Sequence, residues 1–331
     1  MNRLLAPLFL ALAVSALPGR AAAPPEPLPR AALVEKILAT AEAAVADPRW
    51  LEGPAWQEFK DAVRDPEMQA LDDAAFRRAF NDATDGLPFT HFRLHWQNPP
   101  EGEDHAAPPI TLDWLSDGVA RIRVRMFAGD PALFAARMTE VIESGAEALI
   151  LDLRGTPGGS FPTAVAVSRA LVNEAMDAGA FLTRGWYARH RTTPNAEQYA
   201  AIPPVEDLDL EVFVRQLQRD GAARLVLPAH DGPVFAGRVV VLTDSATASA
   251  CEPLVYRLQQ RGVPVIGERT AGGMLSAEHF PMDGTFKLFV PVADYVAPDL
   301  VRLDGRGVAP DIEVPAEEAL MRALALLDQS V

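Results

Sequence analysis

The sequence predicts an α/β domain preceded by a smaller helical part. From about residue 110 onward, short apolar runs alternate with segments of helical periodicity, which is typical of a sheet covered by helices. Residues 31–80 are instead rich in alanine and show helical spacing only. The chain has 331 residues, enough for one large domain or two small ones, and 49% of them are apolar. This composition excludes a disordered protein.

The N-terminus has the layout of a secretory signal peptide. Arg3 precedes an apolar run over residues 4–17, and Ala21, Ala22 and Ala23 follow it. The run is too short for an ordinary transmembrane helix. We therefore expect residues 1–23 to be removed, leaving a periplasmic or secreted protein without a membrane span. The chain has one cysteine, which excludes an internal disulfide.

Residues 24–97 are predicted to form the N-terminal helical subdomain. After a proline-rich linker, residues 31–47 have apolar side chains at helical spacing, and residues 56–80 predict two more helices separated at Pro66. A polar loop rich in proline and acidic residues extends from residue 97 to residue 109.

Residues 110–331 are predicted to form the α/β domain. Strands are expected within the stretches "DGVARIRVRMF", "ALILDLRG", "GRVVVLT", "VPVIGE" and "TFKLFVPV". Helices are expected over residues 130–145, where Asp130 and Pro131 form a start signal, and over residues 162–176, from Ser249 onward and over 315–329. Residues 185–235 are charged and without clear periodicity, and we interpret them as an insertion or lid, with a plain surface excursion as the alternative.

One strand-to-helix junction carries several candidate nucleophiles. The stretch "VVVLTDSATASACEPLVYRLQQRG" contains two threonines, two serines and the cysteine, namely Thr243, Ser245, Thr247, Ser249 and Cys251. A serine at a helix start can be a simple N-cap. The same position also suits a nucleophile, because the free N–H groups that follow point at a developing oxyanion.

A glycine turn follows another predicted strand. In "LDLRGTPGGS", Gly158 and Gly159 leave the backbone bare, which lets a substrate carbonyl approach the N–H groups closely. A tight strand-to-helix turn is the alternative interpretation. The turn is not a phosphate-binding loop, because no Gly-Lys-Ser/Thr sequence follows it.

Four motifs in order resemble one known family. The stretches "ALILDLRGTPGG", "SATASACE", "GERTAGG" and "GRGVAPDIEV" are similar to those of the C-terminal processing peptidases, the tricorn core protease and the repeats of interphotoreceptor retinoid-binding protein. The resemblance implies a ClpP/crotonase-like spiral fold of sheets and helices for residues 110–331, and a peptide or protein substrate.

The resemblance also implies the nucleophile and the oxyanion hole. In the family the serine lies three residues before a glutamate, which matches Ser249 and Glu252. The oxyanion hole would then consist of the backbone N–H groups of Ala250 and of either Gly158 or Gly159. Cys251 is expected to be a buried structural thiol.

The general base departs from the processing-peptidase pattern. Those relatives use a lysine within a "TFGKG"-like motif, and Gly273 occupies the corresponding position here. The next lysine, Lys287, falls in a predicted strand, where a surface position is expected. A Ser–Lys dyad is therefore not expected.

The tricorn-like pattern fits better. It uses a histidine preceded by a small hydroxyl residue, matched here by Thr90 and His91, and an acid near the "GV-x-PD" motif, matched by Asp304. A neutral imidazole accepts a serine proton well, and a carboxylate would fix its tautomer. We expect His91 to be the base, Asp304 to orient it, and Thr90 to position His91 or the substrate. His95 is the first rival.

Other classes of function are disfavoured. The spacing of His91 and His95 lacks the glutamate and third ligand of a zinc site, so neither a metal nor a cofactor is expected. A net charge of −15 without a basic cluster argues against nucleic acid. The fewer than 30 residues between His91 and the strand near Val119 leave no room for a PDZ domain. A non-catalytic binding module and an ester or acyl hydrolase remain as alternatives to a serine peptidase.

Overall fold

The computed structural model describes residues 28–98, 108–128 and 130–328, and the predicted signal peptide lies outside them. The α-helices are α1 (Arg30–Ala44), α2 (Pro54–Arg64), α3 (Pro66–Gln69), α4 (Asp73–Ala83), α5 (Pro131–Glu143), α6 (Phe161–Leu171), α7 (Arg184–His190), α8 (Ala196–Ala201), α9 (Leu210–Asp220), α10 (Cys251–Gln260) and α11 (Ala319–Asp328). Within these described residues, no helix has the length and apolar character needed to cross a bilayer.

The strands form two sheets. They are β1 (Arg93–Trp96), β2 (Ile110–Ser116), β3 (Val119–Val124), β4 (Ala148–Asp152), β5 (Met176–Thr183), β6 (Ala222–Leu227), β7 (Arg238–Thr243), β8 (Val265–Gly267), β9 (Leu275–Pro281), β10 (Phe286–Val296) and β11 (Ile312–Glu313). With the helices they give the α/β class that the sequence predicts.

The first sheet has the order β11-β8-β7-β4-β3-β2, parallel except for β2. Its strands alternate their apolar side chains between two covered faces. Ile150 of β4 packs with α11, whereas Leu149 and Leu151 face the main core shared with α5, α6 and α10. Burial on both faces explains the continuous apolar runs of β4 and β7. The carboxyl ends of β4 and β7 lead directly into the glycine turn and the Ser249 loop.

The second sheet is antiparallel and is organised around β10, which pairs with β1, β5 and β9, while β6 pairs with β5. The N-terminal helices pack against it. Trp56, Phe59 and Phe80 from α2 and α4 form one apolar cluster with Phe286 and Leu288 of β10. The helical part therefore shares its core with the second sheet.

Residues 185–235 differ from the irregular segment expected from the sequence, because they contain most of α7, all of α8 and α9, and β6. The side chain of Asn195 caps α8 in a reciprocal capping box with Gln198. Asp209 caps the start of α9, and Gly221, the residue that follows the helix, has a left-handed φ of 80°. The helix predicted for residues 162–176 is also shorter, since it ends at Leu171 and β5 begins at Met176.

Candidate active site

Ser249 lies in the short connection between β7 and α10. Its backbone has a left-handed φ of 55°, a conformation that costs free energy for a residue with a Cβ. Two acceptors hold the strained turn in place, because the Ser249 N–H donates to the carbonyl of Gly273 at 3.0 Å and to Oε2 of Glu252 at 3.1 Å. The turn presents the hydroxyl just before the first residue of α10.

His91 contacts Ser249 although the two residues are 158 positions apart in the sequence. It precedes β1, and its Nε2 lies 3.3 Å from Oγ of Ser249. Its ring centroid is 5.5 Å from that of Phe289 on β10. His91 also has a left-handed φ, of 60°. Backbone strain in both partners of one contact is typical of a functional site.

The imidazole of His91 is neutral at neutral pH. Burial lowers its pKa from the ordinary 6.5 to about 4, and the positive charge of Arg93 adds to the shift. The lone pair of a neutral ring is therefore available to a nearby hydroxyl.

Thr90 connects His91 to Asp304. The Thr90 hydroxyl lies 2.8 Å from Nδ1 of His91 and donates to Oδ1 of Asp304 at 2.5 Å. A hydroxyl has one proton, so a hydroxyl that donates to Asp304 must accept from Nδ1–H of His91. The ring then carries its proton on Nδ1, and the lone pair of Nε2 faces Ser249.

This arrangement changes the expected contact of Asp304. The sequence predicted that the carboxylate would orient the imidazole itself, but in the described part of the chain no hydrogen bond joins the side chains of Asp304 and His91. The threonine hydroxyl stands between them. Asp304 is buried, with 4% exposure. Burial raises its pKa, and hydrogen bonding to Thr90 and the charge of Arg302 oppose that shift.

Gly158 lies beside the serine. A Cβ at this position would be 2.5 Å from Cβ of Ser249 and 3.1 Å from the nitrogen of Ala250. The neighbouring Gly159 instead packs against Phe127, whose carbonyl oxygen a side chain at 159 would overlap. The structure thus brings Gly158, rather than Gly159, next to Ser249 and Ala250.

The backbone N–H groups near Ser249 differ in whether another group already contacts them. Among the described residues no hydrogen bond engages the Ala250 N–H, which directly follows the serine. The Gly158 N–H lies close enough to the Cys251 thiol to lower its pKa, but the larger effect of burial raises that pKa well above its ordinary value. Cys251 is fully buried, consistent with the expected structural thiol.

Glu252 supports the turn. Its carboxylate accepts hydrogen bonds from the Thr270 hydroxyl at 2.6 Å, the Gly272 N–H at 2.8 Å and the Ser249 N–H. These contacts pin the loop after β8 to the start of α10. The spacing of serine and glutamate noted in the sequence is therefore explained by backbone positioning.

Among the described residues, neither His95 nor Lys287 makes a hydrogen bond to Ser249. Gly273 faces His91, since a Cβ there would be 3.7 Å from Cε1 of the imidazole. Lys287 sits on β10 in register with His95 of β1. The His95 ring contacts that of His279, with Nδ1 and Nε2 2.9 Å apart.

A cavity of about 1280 Å³ opens at Ser249 and His91. Its walls are mainly apolar and include residues of α6, α9 and α10 and of β5, β6, β9 and β10. The rings of Phe161 and Phe213 stack in one wall, with centroids 5.1 Å apart. The segment that the sequence marked as an insertion or lid therefore contributes α9 and β6 to the lining.

Residues 118–314 match Peptidase family S41. The chain belongs to this family. It is 29% identical over 211 residues to a carboxyl-terminal-processing protease of Picosynechococcus, an alignment that covers 60% of this chain and 40% of that protein. The S41 chain described here thus spans less than half the length of that relative. The resemblance seen in the motifs is confirmed at the level of the family.

Solved structures of low sequence identity share the fold. The photosystem II D1 C-terminal processing protease aligns with a TM-score of 0.52 at 18% identity, over 89% of this chain and 97% of that one. A lipoprotein from Streptococcus agalactiae aligns with a TM-score of 0.58 at 14% identity, over 92% of this chain and 98% of that one. These alignments extend well beyond residues 118–314 and include N-terminal residues.

Proposed function

We propose that this chain is a serine peptidase in which Ser249 is the nucleophile and His91 the general base. The observation that carries the proposal is the 3.3 Å contact between Nε2 of His91 and Oγ of Ser249, backed by the hydrogen bonds through Thr90 to Asp304. A non-catalytic binding module on the same fold would have no need of this contact.

In the proposed reaction, His91 takes the Ser249 proton as Oγ attacks the peptide carbonyl. We expect the Ala250 N–H to stabilise the oxyanion together with an N–H of the turn that contains Gly158 and Gly159. The imidazolium then protonates the leaving amine, and a water molecule hydrolyses the acyl-enzyme by the reverse sequence. Asp304 acts through Thr90, which holds the Nδ1–H tautomer of His91.

The base is a histidine in this proposal because Gly273 supplies no side chain where processing peptidases place a lysine. The arrangement of Thr90, His91 and Asp304 supports membership of the tricorn-like branch. The substrate is a peptide or protein chain, and the apolar cavity beside Ser249 favours apolar residues near the scissile bond. The N-terminal sequence supports a periplasmic or secreted enzyme, which N-terminal sequencing of the exported protein would test.

A fluorophosphonate probe tests the nucleophile. We expect the probe to label Ser249 alone, as located by peptide mass spectrometry, and labelling to disappear in Ser249→Ala together with peptide hydrolysis. Cys251→Ala is the matched control, because it changes the neighbouring buried thiol and should keep both. Labelling at another residue, or hydrolysis by Ser249→Ala, would contradict the assignment.

A further inference from the structure

An ion-pair network that includes two buried carboxylates extends from the candidate acid. Arg302 donates from Nη2 to Oδ2 of Asp304 at 3.0 Å, and from Nε to both carboxylate oxygens of Asp294 at 3.0 Å. Tyr187 of α7 donates to Asp294 at 2.7 Å. The guanidinium carbon of Arg302 lies 4.9 Å from the centre of the Trp50 ring. One arginine therefore bridges two carboxylates, and its guanidinium group lies over an aromatic ring.

Arg302 supplies the positive charge that offsets part of the negative charge of Asp294 and Asp304. Asp294 and Asp304 are 1% and 4% exposed, so each is costly to ionise. Burial raises the pKa of both carboxylates, and their mutual repulsion adds to the pKa of Asp304. Arg302 lowers both pKa values. It is the cation in direct contact with the two carboxylates.

The groups that face Asp304 all bear on whether it carries a proton. Thr90, just before β1, donates from both its hydroxyl and its backbone N–H, and Arg302 supplies the positive charge. Asp294 of β10 supplies the opposing negative charge. His91 lies beyond the Thr90 hydroxyl.

We propose that Arg302 is a positioning residue for catalysis, which keeps Asp304 ionised and thereby fixes the direction of the hydrogen bonds that run through Thr90 to His91. The inference rests on the proposed function of Ser249 and His91. It adds a role for a residue that touches neither the substrate nor the reacting atoms.

The proton positions explain how Arg302 acts at a distance. An ionised Asp304 can only accept, so Thr90 donates to it and accepts from Nδ1–H of His91. A protonated Asp304 can donate to Thr90, whose own proton then turns toward Nδ1. The imidazole proton moves to Nε2, where it faces Ser249 and removes the lone pair that accepts the serine proton. Losing Arg302 therefore disables the base without touching it.

A double-mutant cycle separates this role from a structural one. We expect Arg302→Met to lower kcat by about 10²-fold at neutral pH with little change in KM, as for loss of a group that acts only in the chemical step. Asp304→Asn should cause a similar loss. The double variant should lose no more than Asp304→Asn alone, because Arg302 acts through Asp304.

The pH profile provides the second readout. The kcat/KM of Arg302→Met should rise with pH over a range in which wild type is flat, because a higher pH ionises the unpaired Asp304. Arg302→Lys, which keeps a positive charge, should recover much of the activity and the flat profile. If Arg302→Met does not fold, Arg302→Gln, which also removes the charge, allows the same comparison with and without Asp304→Asn.

The chain offers a matched control in Arg224. It forms an ion pair of 3.5 Å with Asp177, which accepts a hydrogen bond from Tyr199, and it stacks over that tyrosine ring. Arg224→Met should lose stability without a change in pH profile. All variants are compared at equal concentrations of folded protein.

Two results would overturn the role of Arg302. In the first, removing Arg302 from the Asp304→Asn variant lowers kcat as much as removing it from the wild type. In the second, kcat/KM of Arg302→Met does not change with pH over the range in which the wild type is flat. Failure of the proposed function would look different, since the wild type would then neither react with the probe at Ser249 nor hydrolyse peptides.

Discussion

Ser249 and His91 share an unusual backbone conformation as well as a contact. In the described residues, four non-glycine residues have left-handed φ angles, and these are two of them. The turn itself does not require serine or histidine at these positions, since asparagine or glycine would adopt the same φ at a lower cost in free energy. The strain is held by surrounding contacts, such as the bonds from the Ser249 N–H to Gly273 and Glu252. The fold therefore fixes the two side chains against each other before substrate binds.

The acid limb of activity should lie well below the range of an ordinary histidine. An imidazole with an unperturbed pKa would lose activity as pH falls through about 6–7. Burial lowers the pKa of His91 to about 4, and only the neutral ring accepts the serine proton. We expect kcat/KM for a peptide to stay constant from pH 8 to about 5.5 and to fall on further acidification. An acid limb near pH 6.5 would show that the ring is solvated in the working enzyme.

A side chain at Gly158 should disable the site selectively. The methyl group of Gly158→Ala would lie 2.5 Å from Cβ of Ser249, so it must displace the nucleophile or the Ala250 N–H. We expect kcat/KM to fall by at least about 10²-fold, the scale for one lost oxyanion donor. Gly155→Ala is the control, because its φ of 72° is also left-handed but nothing lies within 4 Å. Equal losses in both variants would assign the effect to backbone strain.

Sequence motifs proposed candidate residues for the site but not the bonds between them. Ser249, His91 and Asp304 were proposed because each belongs to a short motif. The place of Thr90 between the base and the acid could not be inferred, since it depends on how β1 and residue 304 meet across 214 positions. Arg302 gave no signal because it contacts Asp294 of β10 only when the chain turns back after that strand.

At the scale of elements, the strands that are buried on both faces of the sheet were predicted from the sequence. The strands β4 and β7 are continuous apolar runs, and both were expected. In contrast, no strand was predicted over the residues of β5, which contains Gly179. The structure requires that glycine, because a Cβ there would overlap the ring of Tyr295, whose hydroxyl bonds the Ala178 carbonyl at 2.7 Å. Tertiary packing, rather than periodicity, defines this strand.

The helix α9 should contribute stability through one face. Phe213 is 4% exposed and packs against Phe161 and Phe181, whereas Leu210 on the same helix is 46% exposed. We expect Phe213→Ala to lower the free energy of unfolding by about 3–5 kcal/mol, the usual cost of truncating a buried phenylalanine. Leu210→Ala should change it by less than about 0.5 kcal/mol. Urea unfolding followed by circular dichroism measures both, and similar values would indicate that α9 is not packed as described.

At the scale of the whole molecule, the N-terminal helices and the second sheet share one apolar core. In the sequence, the candidate base His91 lies between the N-terminal helices and β1. The sequence divided the chain near residues 97–110, where composition changes. Shared packing across that division was not visible, because apolar spacing on a helix does not identify the surface that covers it.

Phe286→Ala tests whether the N-terminal helices and the second sheet unfold together. It is 1% exposed on β10, stacks on Trp96 at 5.2 Å and contacts Phe76 of α4. Phe286→Ala should therefore lower the free energy of unfolding by about 3–5 kcal/mol and shift a single transition that helical circular dichroism and peptidase activity report together. Met321→Ala on α11, where the side chain is 69% exposed, should leave the transition in place. If the helical signal and the activity separated into two transitions, residues 30–83 would be an independent subdomain. A single transition would instead mean that any loss of the helical part also removes the base from the serine.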